Sequence, residues 1–250
     1  MNGSANITDC LSSVTINSSV EGDGTHGGFV AETSHTLNIE GCLFNGSLLG
    51  ESTHSCGGFI GWRNGTVNIS NSLFAPAEVT IGVGTDYPSA TFVRNGATAT
   101  ITNCYYTDAF GTAQGKQRHS ISAGDNVTVA NAGTATTYDV IGITSYGTGI
   151  LYGGVLYAGN GDAVSLTLAH QELEGYDFIG YTATAGNLNG STLTMPDGNV
   201  TINAEYTYSA PSELTATDIT ATTATLNWNG LQESYGELQC ALPTSCRYPQ

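Results

Sequence analysis

The chain has 250 residues, enough for one large domain or two or three small ones. It carries 5 Lys and Arg against 21 Asp and Glu, a formal net charge of −16, so it has little with which to neutralise a phosphate backbone or to approach anionic lipid. Only 10% of residues are charged, no helix-period run of Ala, Leu, Glu and Lys occurs, and no stretch of 18 apolar residues could span a bilayer. Nucleic-acid binding and membrane insertion therefore fall away. Short alternating runs of Thr, Val, Ile and Tyr, broken by Asn-Gly and Gly-Gly, predict an all-β chain.

Residues 1 to 115 carry an internal repeat. Asn6-Ile7-Thr8-Asp9-Cys10, Asn38-Ile39-Glu40-Gly41-Cys42, Asn68-Ile69-Ser70-Asn71-Ser72 and Thr100-Ile101-Thr102-Asn103-Cys104 follow one another at steps of 32, 30 and 32 residues. A second mark travels in phase: Gly27-Gly28-Phe29-Val30, Gly57-Gly58-Phe59-Ile60 and Ala90-Thr91-Phe92-Val93. No single repeat of this kind can bury its apolar face, so stacking is required. The pattern predicts a right-handed parallel β-helix of about four coils. Ile7, Ile39, Ile69 and Ile101 should form one inward ladder, and the glycine pairs and Asn-Gly steps should supply positive φ at the corners. These marks resemble the GLUG-type repeats of bacterial surface proteins. The resemblance implies surface attachment and no catalytic residues. In copy three Ser89-Ala90-Thr91-Phe92 replaces the glycine pair, so its corner is expected to differ.

Residues 117 to 208 form a second unit. Candidate strands run Asn126 to Ala130, Tyr138 to Thr144, Ile150 to Tyr157, Ala163 to Ala169, Tyr176 to Ala183 and Asn199 to Tyr206, separated by turns such as Gly159-Asn160-Gly161-Asp162. Glu174-Gly175-Tyr176-Asp177-Phe178-Ile179-Gly180-Tyr181 and Thr194-Met195-Pro196-Asp197-Gly198-Asn199-Val200-Thr201 resemble the divergent internalin-type bacterial repeat. That resemblance implies a small β-grasp-like, mostly antiparallel module with a spacer or adhesion role. Residues 209 to 235 resemble the first two strands of a fibronectin type III domain, with Leu214 and Ile219 facing inward and Trp228 as core tryptophan. A sandwich needs about 90 residues, so an incomplete stub is expected, followed by an atypical tail at 236 to 250. Any export signal is expected upstream of this sequence.

Chemistry is sparse. Cys10, Cys42 and Cys104 share one repeat position with Ser72, which predicts an inward stack of small side chains bearing free thiols. His26 and Cys56 share the position before the glycine pair, expected to face solvent. The scattered His26, His35, His54, His119 and His170 lack ligand spacing. A β-helix polysaccharide lyase or glycosidase would need carboxylates and a basic residue gathered on one face. Arg63 and Arg94 lie near equivalent corners, with Glu32 at the corner before, a set that also fits a solvated ion pair worth little. Tyr105, Tyr106, Tyr146, Tyr152 and Tyr157 could serve a carbohydrate-binding surface or simply pack. The expectation is a non-enzymatic adhesion or structural module, extracellular or at the cell surface. It has no catalytic, metal or cofactor residues, and its partner is a host or cell-surface protein or glycan.

Overall fold

The computed structural model describes residues 3–94, 99–132, 136–138, 143–146, 149–209 and 212–229. Among these there are strands and no helix. The first part is a parallel β-helix of about three turns. Strands Ser4–Thr8, Thr36–Glu40, Val67–Ser70 and Thr100–Thr102 form one all-parallel sheet, with Ile7, Ile39, Ile69 and Ile101 in a single register column. Ile39 and Ile69 are buried, while Ile7 and Ile101, at the two ends of the column, are partly covered. The second sheet stacks Leu11–Ser12, Leu43–Phe44, Leu73–Phe74, Tyr105–Tyr106 and Lys116–Gln117. The third has only Thr15–Asn17, Ser47–Leu49 and Glu78–Val79, because the chain leaves the helix before completing a fourth turn.

Coils that differ in length by a few residues are held in register by what must coincide between them. Phe29, Phe59 and Phe92 stack in one interior column, with centroids 4.8 Å apart at both steps. Phe44, Phe74 and Phe110 form a second, at 5.5 and 6.2 Å. On the outer side Asn38 Nδ2 donates to Asn6 Oδ1 at 2.8 Å and Asn68 Nδ2 to Asn38 Oδ1 at 2.9 Å.

The glycine pairs do not work as expected. None of Gly27, Gly28, Gly57 and Gly58 has positive φ. They are glycines because there is no room: a Cβ on Gly28 would lie 2.4 Å from the Phe44 ring, and one on Gly58 2.0 Å from the Thr91 carbonyl oxygen. The two phenylalanine columns interlock through these gaps. Positive φ recurs instead at the residue before the Cys/Ser position, Asp9, Gly41, Asn71 and Asn103 (52°, 62°, 50° and 51°), where Asn and Asp tolerate the left-handed state, and at the corner ahead of the glycine pair, Thr25, Ser55 and Tyr87.

The second part consists of largely antiparallel sheets. A seven-stranded sheet runs in the order 136–138, 143–146, Gly149–Tyr152, Val155–Ala158, His119–Ala123, Val200–Tyr208 and Tyr176–Ala183. Its one parallel pair joins Ile121 to Val200. A four-stranded antiparallel sheet is made by Val127–Asn131, Ala163–His170, Thr192–Thr194 and Asn187–Asn189. Ile121, Leu156, Val164, Leu193, Met195 and Ile202 lie in the core between them. The expected strand Ile150 to Tyr157 is two strands, because Gly153 and Gly154 adopt φ of 57° and 78° and close a tight hairpin pairing Tyr152 with Val155.

The two parts share a contact. Leu43 and Leu73 point out of the β-helix and are buried under Ile150 and Tyr152, and Tyr152 Oη meets Asn45 Nδ2 at 2.9 Å. Beyond residue 209, Ser212–Thr217 and Thr225–Asn229 form an isolated two-stranded antiparallel hairpin. Ile219, expected to face inward, is 71% exposed, since among the described residues no second sheet covers the hairpin. The Leu214 and Trp228 side chains and residues 230–250 lie outside the described residues.

Candidate functional site

The Cys/Ser column is the most regular chemical feature of the coils. The positive-φ residue before it turns each side chain to donate to the carbonyl two residues back. The Sγ atoms of Cys10, Cys42 and Cys104 reach Thr8, Glu40 and Thr102 at 3.1, 3.3 and 3.4 Å, and Ser72 Oγ reaches Ser70 at 2.8 Å. All four cysteines of this region are free thiols. Cys42 and Cys104 are buried, and burial pushes both thiols up to about 11. Cys10 is exposed, a departure from the expected buried stack, because among the described residues no coil lies beneath the first. Cys56 also contradicts its expected placement. It is fully buried, and its thiol is pushed up by burial, because the residue before the glycine pair points into the interior. His26, in the same column, is half-buried and contacts Ser18 Oγ at 2.8 Å.

Arg63, Arg94 and Glu32 do not converge. Strand register pairs Arg63 with Thr33 and Trp62 with Glu32, while the Ile60–Val93 bridge sets Arg94 beside Gly61. Arg94 follows its phenylalanine by two residues and Arg63 by four, so the two are out of phase. Arg94 is not solvated either. It is 1% exposed and spans to Asp23, two coils back, with both terminal nitrogens at 2.5 Å from the carboxylate oxygens. Its guanidinium lies 4.7 Å from the Trp62 ring centroid and 5.9 Å from that of Tyr87, and its Nε donates to the Tyr87 carbonyl at 3.2 Å. Trp62 and Tyr87 meet edge to face at 5.4 Å. A planar, permanently charged, five-donor side chain is suited to hold a carboxylate and two rings together. The sequence signal for this group was the altered third corner; the partner Asp23 has no local signature.

Arg118 makes a second rivet. It is buried over the Tyr105 ring at 4.2 Å, 3.8 Å from Asp162 Oδ2, and occupies space that a Cβ on Gly159 would enter at 2.3 Å. The three described arginines are thus buried, and Lys116 is the one exposed cation among the described residues.

The tyrosines expected as sugar platforms are packed. Tyr106 is buried, Tyr105 lies under Arg118, Tyr152 covers the leucine ladder, and Tyr157 is half-buried with its phenol pushed up by burial. Tyr146's side chain lies outside the described residues. His170 stacks on Phe178 at 3.7 Å and contacts Tyr181 and Glu172, while His119 contacts Asp197. Among the described residues no group of three or more His, Cys, Asp or Glu is placed to hold a metal ion, and no helix is long and apolar enough to cross a membrane.

Coiled repeats followed by antiparallel sheets define an all-β repeat protein. The family model of the divergent InlB B-repeat domain matches residues 140–210, and with the β-helix it fits a bacterial repeat protein. The matched stretch contains both segments that resembled the internalin-type repeat and extends upstream over the Gly153-Gly154 hairpin. No curated protein and no solved structure matches the chain.

Proposed function

We propose that the chain is a non-catalytic adhesion or structural module of a bacterial surface or secreted protein, in which GLUG-like coils carry an InlB-type repeat and a fibronectin-like beginning. The observation that carries this reading is the shared contact of Leu43 and Leu73 with Ile150 and Tyr152. Independent enzymatic and accessory domains are commonly joined by polar, mobile interfaces. Here repeat and module are fused through an apolar ladder, as suits an element that transmits position or force. The family match to a repeat of bacterial surface proteins supports the location. A polysaccharide lyase or glycosidase is the rival, and its basic candidate Arg94 is fully engaged by Asp23.

Beads coated with the purified chain test the reading. Retention on epithelial cells or polysaccharide films above that of albumin-coated beads, with no reducing ends or unsaturated sugars released, is the expected result. Release of product that disappears in Arg63→Ala or Arg94→Ala would overturn it in favour of the enzyme.

A further inference from the structure

We propose that the third corner of the β-helix, where Tyr87, Trp62 and Asp23 meet, is a binding subsite for neutral glycans. The proposal rests on the adhesion reading and names the chemistry of what is held.

The third corner departs from the repeat. Val79 and Ser89 bound nine residues where their register partners Leu48 and Cys56 bound seven. The extra length carries Asp86-Tyr87-Pro88, and Tyr87 sits at φ 55°, a state uncommon for a bulky residue. The same corner in the two coils before it is closed at positive φ by the small residues Thr25 and Ser55, at 47° and 61°, so it is the large ring that is new at Tyr87. Tyr87 is 54% exposed, and beside it the Asp23 side chain is 53% exposed.

Arg94 sets this geometry without touching solvent. Its Nε fixes the Tyr87 carbonyl, its face fixes Trp62, and its fork fixes Asp23. Each Asp23 oxygen receives one Arg94 nitrogen and keeps a further lone pair for an outside donor. A pyranose offers a C–H face that packs on an aromatic ring and hydroxyls that donate to a carboxylate, so an exposed ring beside a pre-oriented acceptor matches it. The charge of the ligand follows from the cations. Arg94 is buried, the half-exposed Asp23 carboxylate stands at the corner, Asp86 adjoins Tyr87 in the chain, and the net charge is −16, which repels uronate or sulfated chains.

Affinity electrophoresis through gels holding laminarin, galactomannan or arabinoxylan, with pectate as the anionic probe, tests the site. Retardation is expected in at least one neutral gel and not in pectate. Tyr87→Gly suits the positive φ while removing the ring, and should weaken binding at least tenfold with its melting temperature kept. Tyr87→Phe should bind like the wild type. In a Trp228→Phe background, the same soluble polysaccharide should shift Trp62 emission, a readout that needs no change at the corner. No retardation in any neutral gel, equal retardation of Tyr87→Gly, unmoved Trp62 emission, or tighter binding to pectate would each overturn the proposal. Coated beads retained on cells equally with Tyr87→Gly and wild type would sink this site while leaving the adhesion reading standing.

Discussion

The side-chain oxygen of Gln114 accepts the backbone N–H groups of both Phe92 and Val93, at 3.0 and 2.7 Å, and its Nε2 donates back to the Val93 carbonyl at 2.9 Å. In the coils below, the same role falls to the backbone. Phe29 and Val30 both donate to the Phe59 carbonyl, and Phe59 and Ile60 both donate to the Phe92 carbonyl. Gln114 therefore stands where the peptide of a next phenylalanine would be, and closes the end of that ladder. Gln114→Ala leaves two N–H groups at a largely buried edge. Each costs about 1–3 kcal/mol when unpaired; water reaching the half-buried position reduces the sum, for an expected loss of about 2 kcal/mol. Urea unfolding measures it, and faster amide exchange at Phe92 and Val93 should locate it.

The two kinds of glycine predict opposite tolerances. Gly58→Ala drives a Cβ to 2.0 Å from the Thr91 oxygen and 2.6 Å from the Phe74 ring, so both phenylalanine columns must part. Overpacking of a tight core costs about 1–3 kcal/mol or more, and the variant should fall at or beyond the upper end. Gly41→Asn should cost less than about 1 kcal/mol, because Asn71 and Asn103 already hold the same φ in later coils and the nearest obstacle is the exposed Asp9 side chain. Paired thermal melts check the ordering, and equal losses would contradict it.

What the sequence disclosed and what it hid divide along one physical line. The isoleucine column and the cysteine position were legible because a solenoid repeats its inward residues at a fixed period. The Gly153-Gly154 hairpin was equally legible as a turn signal, yet the matching apolar triplets on either side, Ile150 to Tyr152 and Val155 to Tyr157, read together as one strand. The glycine pairs look conformational in the sequence, but their cause is crowding, which depends on Phe44 and Phe74 from other coils. Asp23 could not be read as the partner of Arg94, since 71 residues separate them and only the stacking brings them together. The outward leucine ladder was hidden because its cover, Ile150 and Tyr152, comes from the second module.

Arg94 and Asp23 should be strongly coupled. Asp23→Ala leaves a buried guanidinium without its counter-charge, a change that costs about 3–5 kcal/mol when the whole pair is buried. Asp23 is half exposed, so about 1–3 kcal/mol is expected here. Arg94→Met in the Asp23→Ala background should recover part of that loss by removing the stranded charge. A double-mutant cycle by denaturant unfolding reads the coupling, and additive losses would show that the pair contributes nothing.

The buried thiols give the fold an alkaline weakness. Cys42 and Cys104 hold their protons up to about pH 11 in the fold because burial disfavours the thiolate, whereas the unfolded chain releases them near 9. The folded state then binds more protons between those values, so stability is intact below pH 9 and falls as pH rises towards 11. Tyr157, also raised by burial, acts in the same direction. A Cys42→Ser/Cys104→Ser variant should fold, since Ser72 already occupies the equivalent position, and should lose less stability than wild type between pH 8 and 10.5. Alkylation at pH 8 followed by peptide mapping should label Cys10 in the native protein and Cys42, Cys56 and Cys104 only after denaturation.

The junction between the two modules should make them unfold together. Leu43 and Leu73 face outward from the β-helix, where a repeat standing alone would leave an apolar stripe in water. Leu11, in the same register column one coil earlier, shows that state at 49% exposure, since the covering hairpin does not reach it. Ile150 and Tyr152 bury the stripe, and the Asn45–Tyr152 hydrogen bond fixes the hairpin's position on it. Arg118 adds a second tie, holding Tyr105 of the last coil and Asp162 of the antiparallel part. Tyr152→Ala removes about half of the cover and the hydrogen bond, at an expected cost of about 3 kcal/mol for an aromatic truncation at a buried contact. Because that contact lies between modules, the cost should appear as lost cooperativity as well as lost stability. Wild-type calorimetry should show one transition for residues 3–209, and Tyr152→Ala should split it in two, with the antiparallel part melting at its own temperature. A single unsplit transition in Tyr152→Ala, or two transitions in the wild type, would mean that the leucine ladder does not couple the modules.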